Sequence, residues 1–231
     1  MLREEILSYE GPEETWPLGS EEEMCQALGV SRPTLRQAAR LLEEEQLLVV
    51  RRGINGGIFG RRPTVEAVSR IASVFLRSEK TSYEDLIGVE LVIAPACARL
   101  ASESPEDMRL TVYNFYRDHL GDTRPAELPL PTFLVLSTDF QRALADAVCN
   151  PAMRLIVNVL MDLARPSSRI SEIYTPVERR EITIERHQSV ADAVYNGKGE
   201  LAAQRMATHL SDILTWADGS MQRHTLERSR A

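Results

Sequence analysis

Apolar residues recur at helical spacing through most of the chain, and the polar residues between them mark where helices begin and end. Ser20 followed three positions later by Glu23 predicts a capping box, with Glu21, Glu22 and Glu23 at the positive end of the helix dipole. Met24, Ala27 and Leu28 form the apolar stripe of that helix, and Gly29 suits the left-handed position that closes it. After a Gly29-Val30 turn, Ser31 caps a second helix and Pro33 fits its first turn. Leu35, Ala38, Ala39, Leu41 and Leu42 supply its apolar face. Leu48-Val49-Val50 and Ile58-Phe59, separated by the turn-forming run Gly53-Ile-Asn-Gly-Gly, predict a two-stranded hairpin. A short helix over 3–9 precedes these elements. Beyond Pro63 the period is helical: 65–77 carries Val65, Val68, Ile71, Ala72 and Phe75 on one face. Residues 83–102 carry Leu86, Val89, Val92, Ile93, Ala96 and Leu100, with Pro95 interrupting. Ser104-Pro105-Glu106-Asp107 starts another helix, and 121–131, with three prolines, is a loop. Further helices are expected over 132–148, 151–164, 176–195 and 199–216.

The fold class that follows is mostly α: an N-terminal winged helix-turn-helix with a small two-stranded wing, then an all-α bundle of about six or seven helices, large enough to enclose a ligand. The expected boundaries are 1–62 for the winged domain, 63–80 for a linker and first bundle helix, 81–218 for the bundle and 219–231 for a tail.

Composition narrows the class. A length of 231 residues with 43% hydrophobic and 26% charged positions describes an ordinary globular chain with room for two domains. No apolar run approaches the roughly 20 residues of a membrane span, and the acidic start MLREEILSYE is no signal peptide. A cytoplasmic location and no membrane partner are expected. Cys25, Cys97 and Cys149 are far apart and odd in number, which predicts buried free thiols without disulfide or zinc. Charge is segregated: 30–62 holds seven arginines against Glu43, Glu44 and Glu45 in a chain of net charge −7. A basic end on an acidic molecule suits binding of a polyanion, and a solvated charged surface is the plain alternative. Arg32, Thr34 and Arg36 lie near the start of the second helix, off its apolar stripe, where a recognition helix places base-reading side chains.

SRPTLRQAARLLEEEQLL followed by a Gly-rich wing resembles the DNA-binding domain of the GntR family of bacterial transcriptional regulators, particularly the FadR subfamily. The resemblance implies that Ser31, Arg32, Thr34 and Arg36 face the operator, with Arg52 and Gly53 at the wing. Where the family usually has Pro-Ser-Glu-Arg this chain has Gly19-Ser20-Glu21-Glu22, so Glu22 replaces an arginine that often reaches DNA, and the first helix is shorter than the family's. DLIGVELVIAPACARLAS, DFQRALADAVCNPAM and ERHQSVADAVYNGKGELAAQRMATHL resemble the subfamily's FCD effector-binding domain. Many members bind a divalent metal through an Asp-x3-His pair and one His on each of two later helices. His187 and His209 match the later two, but Ser137 and Gln141 stand at the pair.

Neutral hydroxyl and amide groups are poor ligands beside carboxylate and imidazole. A metal-free polar pocket lined by Ser137, Gln141, His187 and His209 is therefore preferred to a degenerate metal site on His187 and His209, or to two hydrogen-bonded histidines without a ligand role. No cofactor is expected. Glu90 stands where the family commonly has an Arg; it is either a solvated or ion-paired helix residue or a pocket group. With that charge reversed, a small carboxylic acid is a poor effector, and a larger, mostly apolar molecule such as an acyl-CoA or lipid-derived compound is expected.

The chain lacks HExxH, GxSxG and paired CxxC motifs. Gly53, Gly56, Gly57 and Gly60 have no Lys-Ser/Thr after them and no βαβ context, so they read as a wing turn rather than a phosphate loop. His119 and His224 have no acid or nucleophile at informative spacing and are expected to be exposed. The chain is not expected to be an enzyme. The leading expectation is a homodimeric, ligand-responsive, sequence-specific regulator that binds a short inverted repeat in double-stranded DNA, a repressor released by a small-molecule effector. The alternative is a metal- or metabolite-binding helical protein whose winged domain mediates protein contacts.

Overall fold

The computed structural model describes residues 1–53, 56–165 and 168–228, with side chains described through residue 217. The chain divides into two compact units, Met1–Val68 and Ser69–Ala231.

The first unit runs α1 (Leu2–Leu7), β1 (Thr15–Gly19), α2 (Glu21–Leu28), α3 (Arg32–Glu44), β2 (Leu48–Arg51) and β3 (Gly57–Arg61). The Ser20 hydroxyl accepts from the Glu23 amide at 3.2 Å and the Glu23 carboxylate accepts from the Ser20 amide at 2.7 Å, which satisfies two otherwise orphaned helix-end donors. Gly29 closes α2 at φ 65°, ψ 33°, a conformation that costs glycine little. Two residues on, Ser31 caps α3. Leu35, Ala39 and Leu42 then bury one face of α3 against Met24, Leu48 and Ile58, at about 1.5–3 kcal/mol for each large side chain. Leu41 does not join them and is 56% exposed. It lies two positions from Ala39, about 200° around the helix.

The wing hairpin belongs to a three-stranded antiparallel sheet of order β1-β3-β2, rather than standing as two strands alone. The added strand contains Pro17 and a bulge between Pro17 and Gly19, features tolerated at a sheet edge that weaken its strand signal. Trp16 pairs with Gly60 and lies across it: a Cβ on Gly60 would sit 2.5 Å from the indole ring. The middle of the predicted wing turn, Ile54 and Asn55, lies outside the described residues.

The helices that follow are α4 (Val65–Ser78), α5 (Tyr83–Ser102), α6 (Glu106–Tyr116), α7 (Leu130–Ala147), α8 (Pro151–Ala164), α9 (Ser168–Tyr174), α10 (Val177–Tyr195) and α11 (Gly199–Arg228), with a π-helical turn over Arg117–Gly121 after α6. In the second unit α11 packs along α5 and α10, α6 against α10 and α7, and α7 against α8. Phe133, Phe140, Leu144, Tyr174, Met206 and Leu210 lie in its core. Ser82 and Asp85 form a second capping box at the start of α5, and Pro95 is accommodated within it.

Several expectations need correction. α9 was not foreseen, because seven residues are too few to show a helical period. α11 continues through Gly219 to Arg228, so the expected tail is helical over its described residues; one glycine costs a helix only about 1 kcal/mol. The apolar stripe of α4 is turned outward: in the second unit Ile71, Val74 and Phe75 are 68%, 66% and 61% exposed. Of the cysteines, Cys97 is buried, Cys25 half-buried and Cys149 exposed just past the end of α7, so the buried-thiol expectation holds for Cys97 alone. Among the described residues no helix is long and apolar enough to cross a membrane.

Candidate functional site

In the first unit, α3 and the wing frame a groove of about 730 Å³ whose wall includes Arg36, Arg40, Arg51 and Arg52. Ser31, Arg32, Thr34, Arg36, Arg52 and Gly53 are all exposed. The Ser31 and Thr34 hydroxyls lie 2.8 Å apart and close the helix start. Glu43, at the end of α3 far from the cap, accepts from the Val50 amide at 2.9 Å and so ties the helix to the wing. The Arg51 guanidinium lies over the Phe59 ring, 4.3 Å from its centre. Gly53 has φ 107°, in the left-handed region that a residue with a Cβ rarely enters. Two of the seven basic residues are engaged elsewhere: Arg61 donates to the Gln46 side chain, and Arg62 to the backbone oxygens of Tyr9 and Gly11.

The arginines at the start of α3 have acidic neighbours. Arg36 donates from Nε and Nη2 to the two carboxylate oxygens of Glu21, at 2.7 and 3.0 Å. This fork holds the Glu21 carboxyl below its usual range. Arg32 lies 3.8 Å from Glu22, beyond hydrogen-bond reach. The sequence pattern singles out Glu22 as the acid near the DNA contacts and assigns Glu21 only to the helix dipole, without its pairing to Arg36. The available signal was an acid in the first turn of one helix facing a basic residue in the early turns of the next, across a tight turn.

The second unit buries a set of polar side chains. Glu90 on α5 is 6% exposed, which settles the choice between surface and interior in favour of the interior. Burial pushes its carboxyl up to about 7, against a smaller opposing effect of its hydrogen bond with Gln141. Ser137 and Gln141, each 8% exposed, sit one turn apart on α7. His187 on α10 and His209 on α11 are fully buried, their rings edge to face with centres 4.9 Å apart. Phe140, beside Gln141 in the chain, stacks on His187 at 4.3 Å. Burial, and then the neighbouring imidazole, holds His187 well below the usual histidine range, and burial takes His209 down to about 4. All four ring nitrogens lack a hydrogen-bond partner among the described residues, and the buried Thr183 hydroxyl, one turn before His187, faces that of Tyr174. Buried polar atoms are rarely left without a partner, which makes these rings candidates for contact with a ligand or bound water. Thr183 and the nearby Tyr174 were not foreseen; a one-turn spacing to His187 was the signal for Thr183. His119 is exposed, as expected, and the side chain of His224 lies outside the described residues.

A divalent metal does not fit this donor set. His187 and His209 supply two neutral imidazoles, while Ser137 and Gln141 supply a hydroxyl and an amide in place of a carboxylate and a third imidazole. Among the described residues no group of three His, Cys, Asp or Glu side chains is placed to hold a metal ion.

Comparison with known proteins agrees with this division of labour. Residues 1–58 match the family of bacterial regulatory proteins, gntR family, and residues 84–212 match the FCD domain. The HTH-type transcriptional repressor NanR of Cronobacter sakazakii is 26% identical over 212 residues, covering 87% of this chain and 76% of that protein. The fatty acid metabolism regulator protein of Edwardsiella ictaluri is 26% identical over 201 residues, covering 85% of this chain and 76% of that protein. The structure of a Streptococcus agalactiae GntR protein superposes with a TM-score of 0.70 at 21% identity, over 92% of this chain and 94% of that one, and so shares the fold. With the FCD match spanning more than half its length and the gntR match its first 58 residues, the chain belongs to the GntR family, in the FadR-like subfamily, and is a ligand-responsive DNA-binding transcriptional regulator.

Proposed function

We propose that the protein is a repressor whose hold on its operator is released when a small molecule enters the buried polar cluster of the bundle. On the DNA side, Arg36 and Arg32 read base edges from the start of α3, Ser31 and Thr34 contact the backbone nearby, and Arg52 and Gly53 carry the wing against the duplex. The chain acts in the cytoplasm as a homodimer on a short inverted repeat, since one recognition helix reads only a few base pairs. The outward apolar stripe of α4, with Ile71, Val74 and Phe75, supports dimerisation by offering surface that a second copy would cover.

The observation that carries the effector site is the set of buried ring nitrogens on His187 and His209 without a partner among the described residues, in a bundle that also buries Gln141, Ser137 and Glu90. Neutral imidazoles donate one hydrogen bond and accept another, so the site suits a ligand rich in hydroxyl, amide or amine groups at this end. An acyl-CoA or lipid-derived effector would have to bring a polar group to this cluster. The ligand lowers operator affinity only as far as it binds the DNA-incompetent arrangement more tightly than the competent one.

The test is a thermal-shift screen of polyols, amines, carboxylic acids and acyl-CoAs against the wild type and His187→Leu. His187→Leu removes two orphaned nitrogens and is expected to fold at least as stably. A compound that stabilises the wild type should lose its effect in the variant and should weaken binding to a duplex selected by the protein. An undiminished shift in His187→Leu would move the effector away from this cluster.

A further inference from the structure

An arginine can be gripped along its side, through Nε and one terminal nitrogen, or at its end, through both terminal nitrogens. Glu21 grips Arg36 along the side: Nε to Oε1 at 2.7 Å and Nη2 to Oε2 at 3.0 Å. Three N–H groups remain, two on Nη1 and one on Nη2, and the end of the guanidinium is the edge that spans O6 and N7 of a guanine. The exposures agree with this division. The Arg36 side chain is 67% exposed and that of Glu21 only 35%, so the carboxylate sits behind and the cation in front. The backbone under Glu21 is fixed by the capping box of its neighbours Ser20 and Glu23. The second pair differs: Arg32 and Glu22 are 63% and 69% exposed and 3.8 Å apart, a loose attraction that leaves both side chains free to turn.

We propose that Glu21 is a positioning residue for operator reading: by holding the Nε–Nη2 side of Arg36 it presents the Nη1–Nη2 end of the guanidinium, already ordered, to a guanine edge. This rests on the reading of α3 as the recognition helix. Ordering a long side chain before the DNA arrives removes that part of the cost of binding. The same carboxylate repels phosphate wherever the protein meets DNA without the matching base. Glu21 therefore sharpens the difference between operator and other DNA, whereas Glu22 repels phosphate without steering its arginine.

The two roles give opposite signs when the carboxylate is removed. A duplex is first selected from a randomised pool with the full-length wild-type protein. Affinities of the wild type, Glu21→Ala, Glu21→Gln, Glu22→Ala and Arg36→Ala are then measured on that duplex, on versions with each guanine replaced, and on a scrambled duplex, over a range of salt. Glu21→Ala is expected to bind the selected duplex about tenfold more weakly while binding the scrambled duplex as well as or better than the wild type. Its preference at one guanine should fall toward that of Arg36→Ala. Glu21→Gln, which keeps one acceptor oxygen, should recover part of the loss. Glu22→Ala should bind both duplexes more tightly. Melting temperatures are recorded for every variant, and Glu21→Ala is expected to retain a folded first unit.

If Glu21→Ala tightens both duplexes as Glu22→Ala does, Glu21 is only a repelling charge and the proposal is overturned. Equal weakening on both duplexes together with a lost melting transition would assign Glu21 to the fold and also overturn it. Failure of the recognition-helix reading looks different: the pool yields no enriched sequence, or Arg36→Ala binds the selected duplex as the wild type does.

Discussion

Replacing Glu90 by Gln should stabilise the bundle at neutral and alkaline pH and leave it unchanged in acid. In the folded chain burial raises the Glu90 carboxyl to about 7, from 4.5 when exposed. A raised folded value means that the folded state holds its proton longer than the unfolded state. The associated stability is fully present below pH 4.5 and is lost as pH rises through about 7. The whole loss is about 3 kcal/mol, from about 1.4 kcal/mol per pH unit over that interval. Glutamine has the same shape, can keep a hydrogen bond with Gln141, and does not ionise. His187 and His209 act in the opposite sense: their folded values are lowered, so their contribution is present above the ordinary histidine range and is lost as pH falls through it, for His209 toward about 4. They are common to both proteins and cancel in the difference. The assay is urea unfolding from about pH 4 to pH 9, followed by the fluorescence of Trp216, which lies 6.1 Å from Tyr174 in the bundle. A Trp16→Phe background removes the signal of the other tryptophan. The variant's advantage should grow from near zero at the acid end to about 3 kcal/mol above neutrality. An advantage that does not change with pH would refute the argument that a buried carboxyl titrates here.

Three further outcomes are expected. Gly60→Ala places a Cβ 2.5 Å from the Trp16 ring and should destabilise the winged unit by about 1–3 kcal/mol, read as an earlier melting transition of that unit with the bundle transition unmoved. Titration with zinc or nickel at micromolar concentration should neither raise the melting temperature nor reach stoichiometric binding that depends on His187 and His209; such binding would contradict the donor-set argument. Ile71→Asp and Val74→Asp should shift the protein toward monomer in analytical ultracentrifugation, and an unchanged sedimentation coefficient would place the dimer contact elsewhere.

The parts of the molecule visible in the sequence are those fixed by neighbours in the chain. The Ser20–Glu23 box, the Gly29 stop, the Ser31 cap and the apolar face of α3 each depend on residues within a turn or two, and each lies where the spacing puts it. What the sequence hides depends on partners far along the chain. The third strand exists because Trp16 pairs with Gly60, more than forty residues on, while its own composition argues against a strand. The burial of Glu90 is decided by helices packing on α5 and not by the charge itself, so pattern alone leaves it open. In α4 the periodicity is correct but says nothing of which way the apolar side turns. At the candidate sites the residue types were legible, whereas the Glu21–Arg36 fork and the edge-to-face pairing of His187 with His209 are facts of three dimensions.

The most direct test of the account is the ratio of affinities for a selected duplex and for a scrambled one, measured with the full chain at physiological salt for the wild type and Arg36→Ala. A ratio of about a thousand or more, falling by about 1–3 kcal/mol in Arg36→Ala, is the expected result. Equal affinity for both duplexes at every salt concentration, or a ratio indifferent to Arg36, would contradict it.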